Sequence, residues 1–162
     1  IVWQRKAWCA IFSPVFLQAK ARLKAILSRK VLYADGLTQE ELSSRVNLIH
    51  GDCWFMEDDL SKQDRQTDIN LIQCEMYIYS QLGVADDVLN LWRRTHENWK
   101  FRGTNVSGIL TGMRLTGQAT TAVGNAIVNL LVHSRIFETN KNHIELMLLL
   151  GDDNLVISRN RI

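Results

Sequence analysis

The chain has 162 residues, 46% hydrophobic and 22% charged, with a net charge of +2, enough apolar material for one domain with a real core and too much for a disordered tract. Its three cysteines, Cys9, Cys53 and Cys74, form no C-x-x-C pair, which excludes a zinc ribbon or a disulfide framework and makes reduced thiols in an intracellular setting the expectation. No apolar run approaches the roughly 20 residues that span a bilayer, and the first residues lack a secretory signal layout.

Residues 1–30 carry Arg5, Lys6, Lys20, Arg22, Lys24, Arg29 and Lys30 and no acidic side chain, a segment charge of +7. Twelve basic and seventeen acidic side chains remain for the rest, a charge of −5. Such asymmetry reads either as a solvated basic helix face or as a wall that meets phosphate. Ser13-Pro14 predicts a helix from Pro14 to Arg29, with Val15, Leu17, Ala21, Ala25 and Ile26 as its inner stripe. A short connection from Tyr33 to Gly36 leads to a helix opened by the capping box Thr38-x-x-Glu41.

Cys53 to Met56 is β-prone and predicts a strand that delivers Asp59 at its C-terminal end, with Asp64 in the turn that follows. Ile69, Ile72, Met76, Tyr79 and Leu82 recur at helical spacing until Gly83 breaks the pattern. Asp86 or Asp87 is expected to cap the next helix, through His96. Lys100 to Gly103 and Val106 to Thr111 predict a short hairpin. Residues 114–125 begin as a loop and become a helix running to about Phe137, with Thr121 and Asn125 on one face. An apolar run, Ile144 to Leu150, and a short β-prone run, Asn154 to Ser158, flank Gly151-Asp152-Asp153 as a last hairpin. With a single proline, no repeat and no low-complexity tract, the chain reads as one α+β unit without a linker.

The hairpin tip presents two adjacent carboxylates, hard oxygen donors of the kind Mg²⁺ takes. Alone it is an ordinary turn, since turns are rich in Gly and Asp. The segment Glu57-Asp58-Asp59 to Asp68 supplies a second acidic group, equally readable as a charged loop with helix-capping aspartates. Two strand-end acidic sites can meet only if their strands are neighbours in one sheet. Gly117 would let backbone approach a ligand before the long helix, and Gly124 would let another element pack tightly on it. The histidines, His50, His96, His133 and His143, are scattered, and His133 reads as a packed side chain. Trp3, Trp8, Trp54, Trp92 and Trp99 read as core, and Ser107-Gly108 imitates the head of the 114–125 segment in the wrong register.

Taken together, the three segments resemble motifs A, B and C of viral RNA-dependent RNA polymerases. Asp59 and Asp64 give the D-x4-D of motif A (57–68), Thr116-Gly117 with Thr121 and Asn125 gives motif B (114–125), and Gly151-Asp152-Asp153 gives motif C (151–153). Glu57-x-Asp59, Ser61-Lys62 and Gly151-Asp152-Asp153-Asn154 are similar to the alphavirus-like supergroup of positive-strand RNA viruses, which includes tobamo-like and endorna-like viruses. Gln63 stands where many relatives carry an aromatic residue, Arg65 where they often carry Lys, Ala126 where a Thr commonly follows, and Thr116 where Ser is more widespread.

The resemblance implies a polymerase palm, a small antiparallel sheet with flanking helices, in residues 51–162, and part of the fingers in residues 1–50. It implies that Asp59, Asp152 and Asp153, with the Leu60 carbonyl, hold two Mg²⁺ ions about 3.5–4 Å apart, Mn²⁺ being a possible substitute. Asp64 and Asn125 would read the ribose, positioned by Thr120 or Thr121, while Thr116 and Gly117 would sense the template. The chain is expected to be a fragment. The basic fingers motif would lie mostly upstream, with Arg5 and Lys6 at its trailing edge as phosphate or RNA contacts, and a Lys-bearing motif and the thumb would follow. Its partners would be template and nascent RNA, nucleoside triphosphates and the other domains of a replicase polyprotein, at a membrane-associated complex in the host cytoplasm. Two alternatives stand beside this reading. A reverse transcriptase usually has an aromatic where Leu150-Gly151 stands, and a non-catalytic RNA-binding derivative would have no need of the intact carboxylates.

Overall fold

Four strands make the sheet that organises the molecule, in the order β1-β5-β6-β2. The computed structural model describes residues 4–60 and 62–162, so Ser61 and Trp3 lie outside the described residues. β5 (Ile144–Leu150) and β6 (Asp153–Ser158) form the hairpin, and β2 (Trp54–Asp59) runs antiparallel to β6 along its free side. β1 (Val31–Tyr33) pairs parallel to β5, with Val31 opposite Met147. The sequence reading took part of this stretch as a connection. Three residues are too short for a periodic signal, and their partner lies more than a hundred positions away.

The first helix departs most from expectation. α1 spans Lys6–Ile26, starting eight residues before Pro14, which lies inside it. Proline removes one backbone donor there, and within the same stretch the Ser13 hydroxyl donates to the Cys9 carbonyl at 2.5 Å. The buried stripe is Phe12, Phe16, Ala19 and Leu23, whereas Leu17, Ala21, Ala25 and Ile26 are exposed. Starting the pattern at Pro14 hid Phe12 and rotated the predicted face.

α2 (Gln39–Val46) carries the expected capping box: Thr38 Oγ1 accepts from the Glu41 N–H at 3.2 Å, and the Glu41 carboxylate accepts from the Thr38 N–H at 2.8 Å. α3 (Gln63–Gln66) is a single turn that includes Asp64, and α4 (Ile69–Gln81) is capped by Asp68. α5 (Asp86–Arg94) ends before His96, and its N-cap is Ala85. Asp86 and Asp87 instead fall in the first turn, where anions suit the helix dipole. β3 (Trp99–Arg102) and β4 (Ser107–Leu110) form the small separate hairpin. α6 (Thr121–Asn140) is the long helix.

One core cluster joins α1, α4, α5 and α6 through Phe16, Ile72, Tyr79, Trp92 and Ile127, with the Phe16 and Tyr79 rings edge to face at 4.8 Å. A second lies between α6 and the sheet, around Ala126, Ile144, Met147 and Leu149. Each large apolar side chain buried there contributes about 1.5–3 kcal/mol. Trp92 is core as expected, while Trp54, on the edge strand β2, is 55% exposed. Among the described residues no helix is long and apolar enough to cross a membrane.

Candidate metal centre

The β2–β6 register sets Asp59 directly opposite Asp153. Beyond the paired strands, the Leu60 N–H donates to the Asp152 carbonyl at 3.5 Å, so the end of β2 stays attached to the hairpin tip. That tip is a two-residue loop, because Leu150 pairs with Asp153. Gly151 has φ +63°, the positive value that the first position of a mirror-image hairpin turn demands. Side-chain alternation puts Glu57, Asp59 and Asp153 on one face of the sheet and Asp58 on the other. Partial desolvation, and then the charges of Asp152, Asp59 and Glu57, raise the Asp153 carboxyl above the usual carboxylate range.

Oxygen donors crowded at an exposed edge fit a hard divalent cation, which would offset their mutual repulsion. Among the described residues no three acidic, His or Cys side chains already converge on a single point, so the carboxylates share an edge without being closed into a cage. The Leu60 carbonyl accepts from the Gln63 N–H at 3.0 Å and keeps one lone pair.

Beside this edge, Asn125 Nδ2 donates to Asp64 Oδ1 at 2.9 Å. Asn125 is 4% exposed, and its Oδ1 is buried without a hydrogen-bond partner among the described residues, an acceptor left for a donor to come. Gln63 Nε2 donates to the Asn125 carbonyl at 3.0 Å, and the Arg114 N–H to the Asp64 carbonyl at 2.9 Å, so the segments of Asp64 and Asn125 are stitched together. The Thr120 and Thr121 hydroxyls turn elsewhere: Thr120 Oγ1 accepts from Arg114 at 3.5 Å and Thr121 Oγ1 donates to the Leu115 carbonyl at 2.8 Å. Thr116 is half-buried, and the exposed Gly117 accepts from the Cys9 thiol at 3.1 Å, joining α1 to the loop before α6.

Arg5 and Lys6 are exposed, and Arg5 lines a cleft with Trp8, Arg94, Lys100 and Leu115. Four other cations of the basic segment hold the fold: Lys20 and Lys24 pair with Asp35, Arg22 donates to the Leu82 carbonyl, and Lys30 donates to the carbonyls of Lys141 and Ile144.

Sequence reasoning missed the fully buried ion pair of Glu75 and Arg114. Burial pushes the Glu75 carboxyl up against the pull of Arg114. The pair lies against Gly124, where an added Cβ would collide with the Arg114 guanidinium and the Glu75 carboxylate. The tight contact expected at this glycine is therefore with a salt bridge. Polar residues on an apolar helix face were the available signal, but nothing local links positions 75 and 114.

His96 is a second missed support. Its Nδ1–H donates to the Trp92 carbonyl at 2.9 Å, and Gln118 Nε2 donates to its Nε2 at 3.1 Å while Gln118 Oε1 accepts from the Leu115 N–H. In this pairing the ring is neutral, and burial lowers its pKa from 6.5 to about 4. In that window the unfolded chain takes a proton that the folded chain refuses, so stability is lost as pH falls. The loss amounts to roughly 3 kcal/mol at 1.36 kcal/mol per pKa unit. Urea unfolding at pH 7 and pH 4.5 should show about 2 kcal/mol of this loss in the wild type and a flatter response in His96→Gln.

A sheet edge with carboxylates from two strand ends, an Asp–Asn pair beside it and a long helix behind it is the arrangement of a polymerase palm. The family model for RNA dependent RNA polymerase matches residues 1–162, and the chain belongs to that family. It is 28% identical over 169 residues to replicase polyprotein 1ab of Beet yellows virus (isolate Ukraine), covering 100% of this chain and 5% of the relative. It is 28% identical over 148 residues to RNA-directed RNA polymerase 2a of Alfalfa mosaic virus, covering 89% and 18%. With the replicase large subunit of Sunn-hemp mosaic virus the identity is 23% over 166 residues, covering 96% and 10%. The chain thus spans under a fifth of these relatives, which are replication proteins of alphavirus-like positive-strand RNA viruses. The family implies dependence on a divalent metal in general.

Proposed function

We propose that this chain is part of the catalytic core of template-directed RNA synthesis in a viral replicase, with residues 51–162 as palm and residues 1–50 as part of the fingers. The observation that carries this reading is the pairing of Asp59 with Asp153 across β2 and β6, with Asp152 one residue away at the tip. Asp59, Asp152 and Asp153, with the free lone pair of the Leu60 carbonyl, hold Mg²⁺, or Mn²⁺ in its place. Bound there, the cations would lower the pKa of the RNA 3′-hydroxyl and offset the charge on the departing pyrophosphate. Asp64 fixes the Asn125 amide, leaving Asn125 Oδ1 to accept from the ribose 2′-hydroxyl. A deoxyribonucleotide leaves that buried acceptor unpaired, which is how the site discriminates.

Thr116 and Gly117 face the template, Thr120 and Thr121 fix the head of α6, and Arg5 and Lys6 are available to phosphate. The partners are template and nascent RNA, nucleoside triphosphates and the remaining domains of the parent polyprotein. Attachment of the replication complex to host membranes in the cytoplasm would come from those other parts.

Primer extension by the full-length protein tests this, with RNA and DNA templates in parallel to separate a reverse transcriptase. Asn125→Ala should reduce the preference for ribo- over deoxyribonucleotides by at least about tenfold, equivalent to losing one good hydrogen bond. Unchanged sugar selectivity would contradict the role of Asn125.

A further inference from the structure

On the sheet face opposite the carboxylates lies a buried polar cluster that nucleotidyl transfer does not use. Asp58 and Asn154 are register partners one step from Asp59 and Asp153, so alternation puts both on the α6 side, Asn154 buried and the Asp58 side chain 42% exposed at the edge. Asn129 and His133 follow Asn125 at successive four-residue steps, so one face of α6 carries all three. Asn129 is 0%, Asn154 3% and His133 5% exposed. His133 Nε2 meets Asp58 Oδ2 at 2.9 Å, and its Nδ1 meets the Asn129 carbonyl at 2.9 Å. Asn154 Nδ2 donates to Asn129 Oδ1 at 3.0 Å. Asn129 Nδ2 then donates to the carbonyls of Asp152 at 2.9 Å and Gly151 at 3.4 Å.

Gly151 and Asp152 are half-exposed, and the Asp152 carbonyl already accepts from the Leu60 N–H at 3.5 Å. A buried amide pointed at them is therefore unnecessary for satisfying the turn, and it fixes where the turn stands. Resting on the polymerase reading above, we propose that Asn129 is a positioning residue. Oriented by Asn154 and His133, its amide clamps the Gly151–Asp152 peptides to α6, and so sets the Asp152 carboxylate relative to Asp59. The same helix face then fixes the ribose-reading amide and the metal-holding turn together.

The test uses the full-length protein and two substitutions. Asn129→Leu removes the clamp, while Asn129→Asp keeps the size and the acceptor for Asn154 but sets a carboxylate oxygen against the turn carbonyls where the donor stood. In metal-free protein, amide hydrogen exchange at Gly151 to Asp153 should accelerate in both, with the β5 core unchanged. Mn²⁺ affinity by calorimetry should fall by about tenfold or more, the usual effect of losing a support to a metal ligand. In extension assays kcat should drop, with the nucleotide KM held within about twofold and the rate partly recovered at high Mg²⁺. Unaltered turn exchange and Mn²⁺ affinity would overturn the proposal. So would unfolding of both variants, which would make Asn129 a support of the whole fold. Asp152→Asn run alongside separates the two ideas: normal extension by that variant sinks the polymerase reading, whereas turn exchange still decides the clamp.

Discussion

Asp152→Asn in the full-length protein should lower primer extension by more than about a thousandfold, about 4 kcal/mol of transition-state stabilisation, while the fold survives. Asp59→Asn should do the same from the other strand. The reason is electrostatic: each substitution removes one anion from the edge where Asp59, Asp152 and Asp153 gather, and an amide is a poor ligand for a hard cation. Removing that anion also relieves repulsion in the metal-free protein, so its melting temperature should hold or rise. The added stability that Mg²⁺ confers on the wild type through binding the native state should shrink in the variant. Gel-resolved single-nucleotide extension measures the first effect and thermal melting with and without Mg²⁺ the second. Extension at the wild-type rate by either variant would remove the metal assignment.

Glu75→Ala should cost about 3–5 kcal/mol in unfolding free energy, the range for leaving a buried charge without its partner. Both side chains of the Glu75–Arg114 pair have 0% exposure, so no water compensates the stranded guanidinium. The double variant Glu75→Leu, Arg114→Met should recover much of the loss, since apolar groups of similar volume can replace a buried pair. Arg114 also donates to the Thr120 carbonyl at 3.2 Å, at the head of α6. Loss of Glu75 should therefore loosen Asn125, four residues on from Thr121, and lower sugar selectivity along with stability. Urea unfolding of the single and double variants decides it. A cost under 1 kcal/mol for Glu75→Ala would show that the pair is not the anchor described.

What was legible in the sequence was local. The capping box at Thr38, the strand ending at Asp59, the β3–β4 hairpin and the Gly151-Asp152-Asp153 turn each announce themselves within a few residues, by side-chain chemistry or by alternation. The meeting of Asp59 with the hairpin tip was not local; it followed from requiring two acidic strand ends to serve one purpose. The failures share a cause. β1 is defined by a parallel partner at Met147 to Leu149, and Glu75 by Arg114. The clamp around Asn129 is defined by Gly151, Asp152 and Asn154. None of these partners leaves a mark near its mate in sequence. In α1 a misleading local signal prevailed: Pro14 looked like a beginning, and the four-residue spacing from Phe12 to Phe16 shows that the helix was already under way.

The two-residue loop between Leu150 and Asp153 has a consequence for how this segment can change. One residue added at the tip would shift β6 by one against its neighbours, turning Asp153 into the interior and Asn154 out to solvent. Surface loops are ordinarily where insertions and deletions accumulate, and this one, though open to solvent, is closed to them. Length variation, tags and grafts belong elsewhere, such as the β3–β4 turn, and one residue more or less in this tip would move Asp153 off its partner Asp59.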